Sequence, residues 1–338
     1  MKIIDKLYLS PEYSTLEELE ADIAIYDATT LRQLADCPRK YQYSVLDGLK
    51  SGSGNKTVES RYLIAGRAIH EALDVLAVTG DEDEALTKLT EDWGDYDSNP
   101  CPENEAHLTH NLLTVVLHNY FDYIKTGPGS QFTPITLKYD DLNFDRLMGG
   151  KFRLLEDGSV LLSESSLLMR MTVDGDDFYY AGKPDQVVQN TAGNTYIMDH
   201  KTSSSYLSSW HVSQHRVSNQ LRCYMGMMHE LTGLDFHGGI VNAIYVGNKA
   251  SSDTFKGTRF ASYRYNWSQG HVEEALLNQL GWAGLIAHHE HMNYYPQASG
   301  MQCRSCNFSR LCEAEPEFRD GVIYTDYTQE GWRDFFTL

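Results

Sequence analysis

The sequence predicts a mixed α/β fold, a central mixed β-sheet flanked by helices, on three observations. Strand-like composition fills the middle of the chain, from about Phe132 to Thr202, while helical periodicity dominates before and after it. The helix-spaced run Val217 to Leu231 leads into the strand-like run Gly239 to Val246, so the two element types alternate once the sheet has begun. Hydrophobic residues make up 41% of the 338 residues, enough to fill a real core, which excludes a disordered chain.

In chain order, Asp27-Ala28-Thr29-Thr30 followed by Leu31, Leu34, Ala35 and Tyr41 reads as a capped helix interrupted near Cys37-Pro38. Ser51-Gly52-Ser53-Gly54-Asn55 is loop composition. Ile64, Ala68, Ile69, Ala72, Leu73 and Leu76 then mark one face of a second helix. Asp81 to Lys125 is mostly helical, with a break at Trp93 to Pro102, and residues of about 81–130 read as a helical insertion in a single domain spanning 1–338. Turns are expected at Gly149-Gly150 and Asp174-Gly175 inside the sheet. Val217, Leu221, Tyr224, Met225, Met228 and Leu231 recur at helical spacing, and a last long helix, Val272 to His291, precedes a cysteine-rich end.

The balance of 47 acidic and 28 basic residues gives a net charge of −19, a field that repels a polyanion at long range unless cations are clustered. No apolar run approaches the ~20 residues that cross a bilayer, and Met1-Lys2-Ile3-Ile4-Asp5-Lys6 lacks the apolar stretch of a signal peptide. A cytoplasmic location with no membrane partner is therefore expected. In a reducing compartment the six cysteines are buried apolar residues, metal ligands or nucleophiles rather than disulfides. Cys101 and Cys223 are isolated, and Cys223 sits in a helical run that reads as core.

Phe178 to Val188 and Thr195 to Thr202 are strand candidates joined by a run of turn formers, Gln189 to Asn194, and should form a hairpin. With the turn centred on Ala192, Asp185 lies opposite Asp199, and cross-strand partners on one face have Cβ atoms about 4.5–5.5 Å apart. Two carboxylates that close are destabilising unless a cation sits between them. The strand period of two puts Lys201 on the face of Asp199 and turns His200 away. Oxygen ligands suit Mg²⁺ or Mn²⁺, which polarise a phosphate and lower the pKa of a bound water. Lys201 can orient or deprotonate that water and offset developing charge. Phosphodiester hydrolysis needs that set of groups. Asp-x-Lys alone also fits a surface hairpin with an ordinary ion pair, so the surrounding residues decide. Gly66 and His70 share one helix face, where His70 can supply a nitrogen ligand; Gln220 and Tyr224 share another, where they can contact phosphate or steady Lys201.

Gly66 to His70, Gly182-Lys183-Pro184-Asp185, Asp199-His200-Lys201 and Gln220 to Tyr224, in this order, resemble the PD-(D/E)XK nuclease superfamily, most closely its RecB-like exonuclease branch. The resemblance spans roughly Cys37 to Cys312. It implies a restriction-endonuclease-like core, metal ligation by His70, Asp185 and Asp199 with the His200 carbonyl, and catalytic roles for Asp185, Asp199, Lys201, Gln220 and Tyr224. His200 stands where an apolar or aromatic residue is more usual in the family.

Cys303-Arg304-Ser305-Cys306 followed by Cys312 offers three ligands, and a closed site of four needs one more, for which Cys37 is the candidate. Four thiolates suit zinc or an iron-sulfur cluster. The setting of Cys37 looks like that of family members in which a 4Fe-4S cluster staples the chain ends, as in AddB-type helicase-nucleases and the four-cysteine exonucleases of CRISPR adaptation, and the resemblance favours the cluster over zinc. Stapled ends would gather Arg32, Arg39, Lys40 and Lys50 with Arg304 and Arg310 into a basic patch, where Tyr41, Tyr43 and Phe308 could stack on unpaired bases. The expected protein is a metal-dependent DNA nuclease, an exonuclease or single-strand-preferring enzyme of recombination, repair or CRISPR-like processing. Its expected partners are DNA, single strands included, and a protein of a recombination or repair complex. The alternative is a catalytically silent, iron-sulfur-stabilised module that binds DNA or protein.

Overall fold

The computed structural model describes residues 4–22, 24–51, 60–99, 101–126, 131–173, 175–208, 213–250, 252 and 257–329. Its strands are β1 (Ile4–Leu9), β2 (Ile25–Asp27), β3 (Leu49–Ser51), β4 (Phe132–Pro134), β5 (Thr136–Lys138), β6 (Leu147–Leu154), β7 (Ser159–Val173), β8 (Asp176–Gly182), β9 (Gln186–Asn190), β10 (Thr195–Ser203), β11 (Phe236–Tyr245), β12 (Phe260–Asn266) and β13 (Tyr327–Gln329). Its helices are α1 (Leu16–Asp22), α2 (Ala28–Asp36), α3 (Pro38–Tyr41), α4 (Arg61–Thr79), α5 (Glu82–Trp93), α6 (His110–Thr126), α7 (Asn219–Thr232), α8 (Gln269–Met292), α9 (Ser309–Glu313) and α10 (Arg319–Asp326). The result is the expected mixed α/β architecture: a mixed sheet of eleven strands whose path runs β1-β6-β7-β9-β10-β11-β12, flanked by helices, with β3 and β13 paired separately.

Local chemistry sets the helix ends. The Asp27 carboxylate caps α2 by accepting from the Thr29 and Thr30 amides, and Pro38 starts α3 afresh after Cys37. Ser218 caps α7, and Gly233 ends it at φ +67°, a left-handed conformation that glycine adopts without penalty. β10, α7 and β11 form a parallel crossover unit, with Asp199 paired to Val241 and Lys201 to Ala243.

Alternate residues of β10 face different helices. Ile197 joins the core built with Leu221 and Met225 of α7 and with Val272 and Ala275 of α8. His200 faces α6 instead: its Nδ1 lies 2.8 Å from Asn242 Nδ2, which also bonds the Tyr120 hydroxyl. A second core joins Ile69 and Leu73 of α4 to Leu89 and Trp93 of α5 and to Leu113 and Leu117 of α6.

Two local expectations are corrected. Gly149-Gly150 lies inside β6 rather than in a turn; a Cβ on Gly150 would stand 2.8 Å from Phe152 Cε2, so the missing side chain makes room for a ring. Phe178 to Val188 is two strands, broken at Lys183-Pro184-Asp185 because proline has no amide hydrogen for a ladder. Of the expected loop and turn, Gly52 to Asn55 and Asp174 lie outside the described residues. β1, at the edge of the sheet beside β6, has no counterpart in the sequence reading.

Candidate active site

The β9–β10 register fulfils the hairpin expectation. Thr195 pairs with Gln189 and Met198 with Gln186, so the next step brings Asp199 to the level of Asp185, one position past the ladder's end. Close approach of helices completes the site. A Cβ on Gly66 would lie 3.2 Å from Thr202 Oγ1, so its absence lets α4 settle on β10 and carry His70 inward. A Cβ on Gly182 would lie 2.7 Å from Tyr224 Cε1 and 2.8 Å from Met227 Sδ, so α7 packs onto the end of β8.

These contacts converge on one cluster. Single ligand atoms of His70, Glu164 and Asp185 all lie within 4.8 Å of one another. His70 Nδ1 is 3.4 Å from Asp185 Oδ2, and the same oxygen accepts from the His200 amide at 2.6 Å. Lys201 Nζ donates to Asp199 Oδ1 at 2.8 Å, while Asp199 Oδ2 is buried without a hydrogen-bond partner. Gln220 Nε2 donates to the Tyr224 hydroxyl at 3.1 Å. The structure therefore brings His70, Asp185, Asp199, Lys201, Gln220 and Tyr224 to one end of the sheet, with Asp199 beside the His70–Glu164–Asp185 group rather than in it.

Glu164 is the residue that sequence reasoning missed. Opposite β6, Lys151 pairs with Ser166 but Arg153 with Leu161, so β7 bulges over Leu162 to Ser165, and Ser163 crosses to pair with Gln186 of β9. Glu164 adopts φ +51°, and its amide donates to the carbonyls of Pro184 at 3.0 Å and Asp185 at 3.1 Å. The bulge thereby aims its carboxylate at Asp185, where Lys183 Nζ meets Glu164 Oε2 at 2.6 Å. The one signal available was a lone carboxylate in the small and apolar run Val160 to Met169.

A buried clamp ties the helix of His70 to this bulge. Asp74, one turn beyond His70 on α4 and 3% exposed, accepts from Ser163 Oγ at 2.6 Å and pairs with the Arg153 guanidinium of β6. One carboxylate thus joins α4, β6 and the residue before Glu164.

The electrostatics show crowded acids. Burial, then the Asp199 charge, pushes Asp185 up to about 7. Burial, then Asp185, raises Glu164, and burial lowers His70. His200 falls to about 3, through burial and the neighbouring His70 and Lys201, so its imidazole is neutral. Burial opposes a charge on Lys201, but Asp199 and Asp185 outweigh it and hold the ammonium above its usual range. Two raised carboxyls, a neutral imidazole and a buried, unpartnered carboxylate oxygen fit a divalent cation with a taste for oxygen and nitrogen ligands.

Cys37, Cys303, Cys306 and Cys312 line one cavity of about 60 Å³, although they come from opposite ends of the chain. The Ala298 amide donates to Cys37 Sγ at 3.5 Å, and the Cys303 thiol to the Ala298 carbonyl at 3.5 Å. β3 pairs with β13, and Tyr43, Leu49, Phe308, Leu311 and Tyr327 pack together beside the sulfurs. Tyr43 and Phe308 lie in this packing and Tyr41 in the main core, which overturns the base-stacking role expected of them: at 5%, 4% and 5% exposure their rings are core. Arg39 is likewise structural, donating through Nε to the Tyr295 carbonyl at 2.7 Å, and Arg310 pairs with Asp326 at 2.7 Å. Arg32 instead joins Lys201 in the wall of a different cavity.

Comparison with known proteins adds three findings. A sequence model of the PD-(D/E)XK nuclease superfamily matches residues 28–313, a span that holds every residue of the cluster and all four cysteines. No curated protein matches the chain. Among solved structures the chain is similar to one titled "Crystal structure of SSO0001", with 15% identity over 88% of this chain and 91% of that one and a TM-score of 0.34. No helix among the described residues is long and apolar enough to cross a membrane.

Proposed function

Because the chain belongs to the PD-(D/E)XK nuclease superfamily, we propose that it is a Mg²⁺- or Mn²⁺-dependent deoxyribonuclease, an exonuclease or single-strand-preferring nuclease of recombination, repair or CRISPR-like processing. The observation that carries this reading is the convergence of His70, Glu164 and Asp185 within 4.8 Å beside the Asp199–Lys201 pair. Those three residues would hold the ion, with Asp199 adding its unpartnered Oδ2. When bound, the ion polarises the phosphate and acidifies a water. Lys201, held charged by Asp199 and Asp185, fixes the Asp199 carboxylate and offsets negative charge on the phosphate, a role that suits it better than proton abstraction. Gln220 and Tyr224 hold each other at the wall on the α7 side.

A 4Fe-4S cluster at the cysteine end belongs to the same proposal. Cys37, Cys303, Cys306 and Cys312 line one cavity, and four thiolates suit such a cluster, which the resemblance favours over zinc. Brown colour and broad visible absorbance after anaerobic purification would support the cluster, and colourless protein carrying zinc would overturn it.

End-labelled single- and double-stranded DNA, incubated with Mg²⁺ or Mn²⁺, tests the activity and its polarity. Asp199→Ala and Lys201→Ala should each lose on the order of 10²–10³ in rate. Equal cleavage by the wild type and both variants refutes this centre. No cleavage by any of them favours a binding module, a reading to which the net charge of −19 lends weight.

A further inference from the structure

Next to the metal-ligand cluster lies a cavity of about 420 Å³, within the range of ~300–1,000 Å³ that encloses small organic ligands. Lys201 and Gln220 belong to its wall, so it opens onto the reacting centre. Although the chain carries 47 acidic residues, none among the described residues lines this cavity. Its cations are Lys201 and Arg32, and the exposed Arg32 side chain has no ion-pair partner among the described residues. The first turn of α7, with its Ser218 cap, faces the same space and adds the positive end of a 14-residue helix.

The part of the lining that α8 supplies has a different chemistry. Gln279 and Trp282 stand three residues apart on α8, hence on one face, and both line the cavity. Gln279 is 4% exposed, yet its Oε1 has no hydrogen-bond partner. A cavity lined by two cations, an indole and an unsatisfied amide matches one nucleotide: an anionic phosphate joined to a flat base with hydrogen-bonding edges.

We propose that this cavity seats the nucleotide adjoining the scissile phosphate in unpaired form, its phosphate toward Arg32 and the start of α7, its base against Trp282 with an edge on the Gln279 amide. The inference rests on the nuclease reading of the neighbouring centre and assigns it a single-stranded or frayed substrate. A paired base stays in its stack and presents neither face to the indole.

The test is metal-dependent cleavage of a single strand in which one abasic site is stepped through successive positions around the cleaved bond. Bis(4-nitrophenyl) phosphate, a diester without bases, is run alongside to read the reacting centre by itself. In the wild type, one position should raise KM roughly 5- to 150-fold with kcat little changed. In Trp282→Leu that position loses its special cost, while turnover of the small diester matches the wild type. Arg32→Gln should lower the slope of log affinity against log salt for single strands by about 0.7, a readout that loss of fold does not mimic. A flat abasic profile from an enzyme that still cleaves both substrates overturns the nucleotide seat and leaves the nuclease reading intact. Failure to turn over either substrate overturns both.

Discussion

At the reacting centre one buried aspartate, Asp74, ties α4 to β6 and β7, and backbone bonds from Glu164 fix the bulge against Asp185. At the cysteine end, by contrast, four thiols share a cavity of about 60 Å³, three of them partly exposed, and Ala298 makes the 3.5 Å contacts to Cys37 and Cys303. The first region is assembled by the protein's own hydrogen bonds and is ready for an ion. The second brings its sulfurs near one another and leaves the final closure to whatever they bind. A centre of the first kind keeps its geometry when its ligand leaves; at the second, the β3–β13 pairing and the ring core already join the chain ends, and the proposed ligand would staple them further.

Removing the staple should therefore have the largest effect on stability and a small one on the centre. Joining Cys37 to Cys303 closes a loop worth roughly 5–6 kcal/mol by the chain-entropy relation for cross-links. Chelation or oxidation of the proposed cluster should lower the denaturation midpoint accordingly, open both chain ends to protease and weaken the proposed DNA binding. Mn²⁺ affinity at the His70 cluster, followed by titration calorimetry, should stay within a few-fold. Full nuclease activity in folded, cluster-free Cys37→Ala protein would contradict the staple.

Asp74→Ala attacks the other side of the comparison. It leaves the partly buried Arg153 guanidinium without its carboxylate, which should cost about 3–5 kcal/mol. Unlike loss of the staple, it should also weaken Mn²⁺ binding by roughly 10–100-fold, because the clamp fixes the elements that carry His70 and Glu164. Unchanged metal affinity in the folded variant would show that the centre does not depend on the clamp.

The centre's crowded acids give a third contrast, in pH. The folded-state pKa of Asp185 is raised to about 7, so between pH 4 and 7 the folded protein keeps a proton that the unfolded chain has lost. That carboxyl by itself lowers metal-free stability as pH rises through the window, by roughly 2–4 kcal/mol. His200, brought down to about 3, and His70, also lowered, stay neutral in the folded protein where the unfolded chain is protonated, and raise stability with pH up to about 6.5. Added Mn²⁺ should restore stability above pH 7 and have little effect near pH 4. Thermal melts of the metal-free wild type and Asp185→Asn across pH 4 to 7 isolate that carboxyl: the wild type should gain less stability than the variant as pH rises, and an equal or larger gain would reverse the account.

The two regions also differ in how far the sequence disclosed them. The Asp185–Asp199 pairing was legible because a compact run of turn formers leaves the hairpin one sensible register. His70, Gln220 and Tyr224 were legible because helical spacing shows which residues share a face. Glu164 was not: its direction depends on a left-handed φ inside a 15-residue strand, which neither alternation nor composition reveals. The cysteine spacing pointed to a shared site, and the four do line one cavity, but spacing could not show that Tyr41, Tyr43 and Phe308 would be used as core. Aromatic residues near basic ones look alike in sequence whether they wait for a base or pack on one another. β1 was missed because its apolar residues, Ile4, Leu7, Tyr8 and Leu9, do not alternate with polar ones, and at the sheet edge none of them is fully buried.

Gly66→Ala should have the smallest effect and the most selective one. In a helix interior, alanine in place of glycine favours the helix by about 1 kcal/mol. Against that gain, the new Cβ would stand 3.2 Å from Thr202 Oγ1, so α4 and β10 must separate by a few tenths of an ångström. The two terms nearly cancel in stability, but the separation moves His70, one turn along α4, away from Asp185, which strand β10 holds through the His200 amide. The melting temperature should change by no more than a few degrees, while Mn²⁺ affinity drops by about threefold to tenfold. A variant equally stable but unimpaired in metal binding would mean that the close approach at Gly66 serves packing alone, and that the reacting centre tolerates more slack than its bonded bulge and clamp imply.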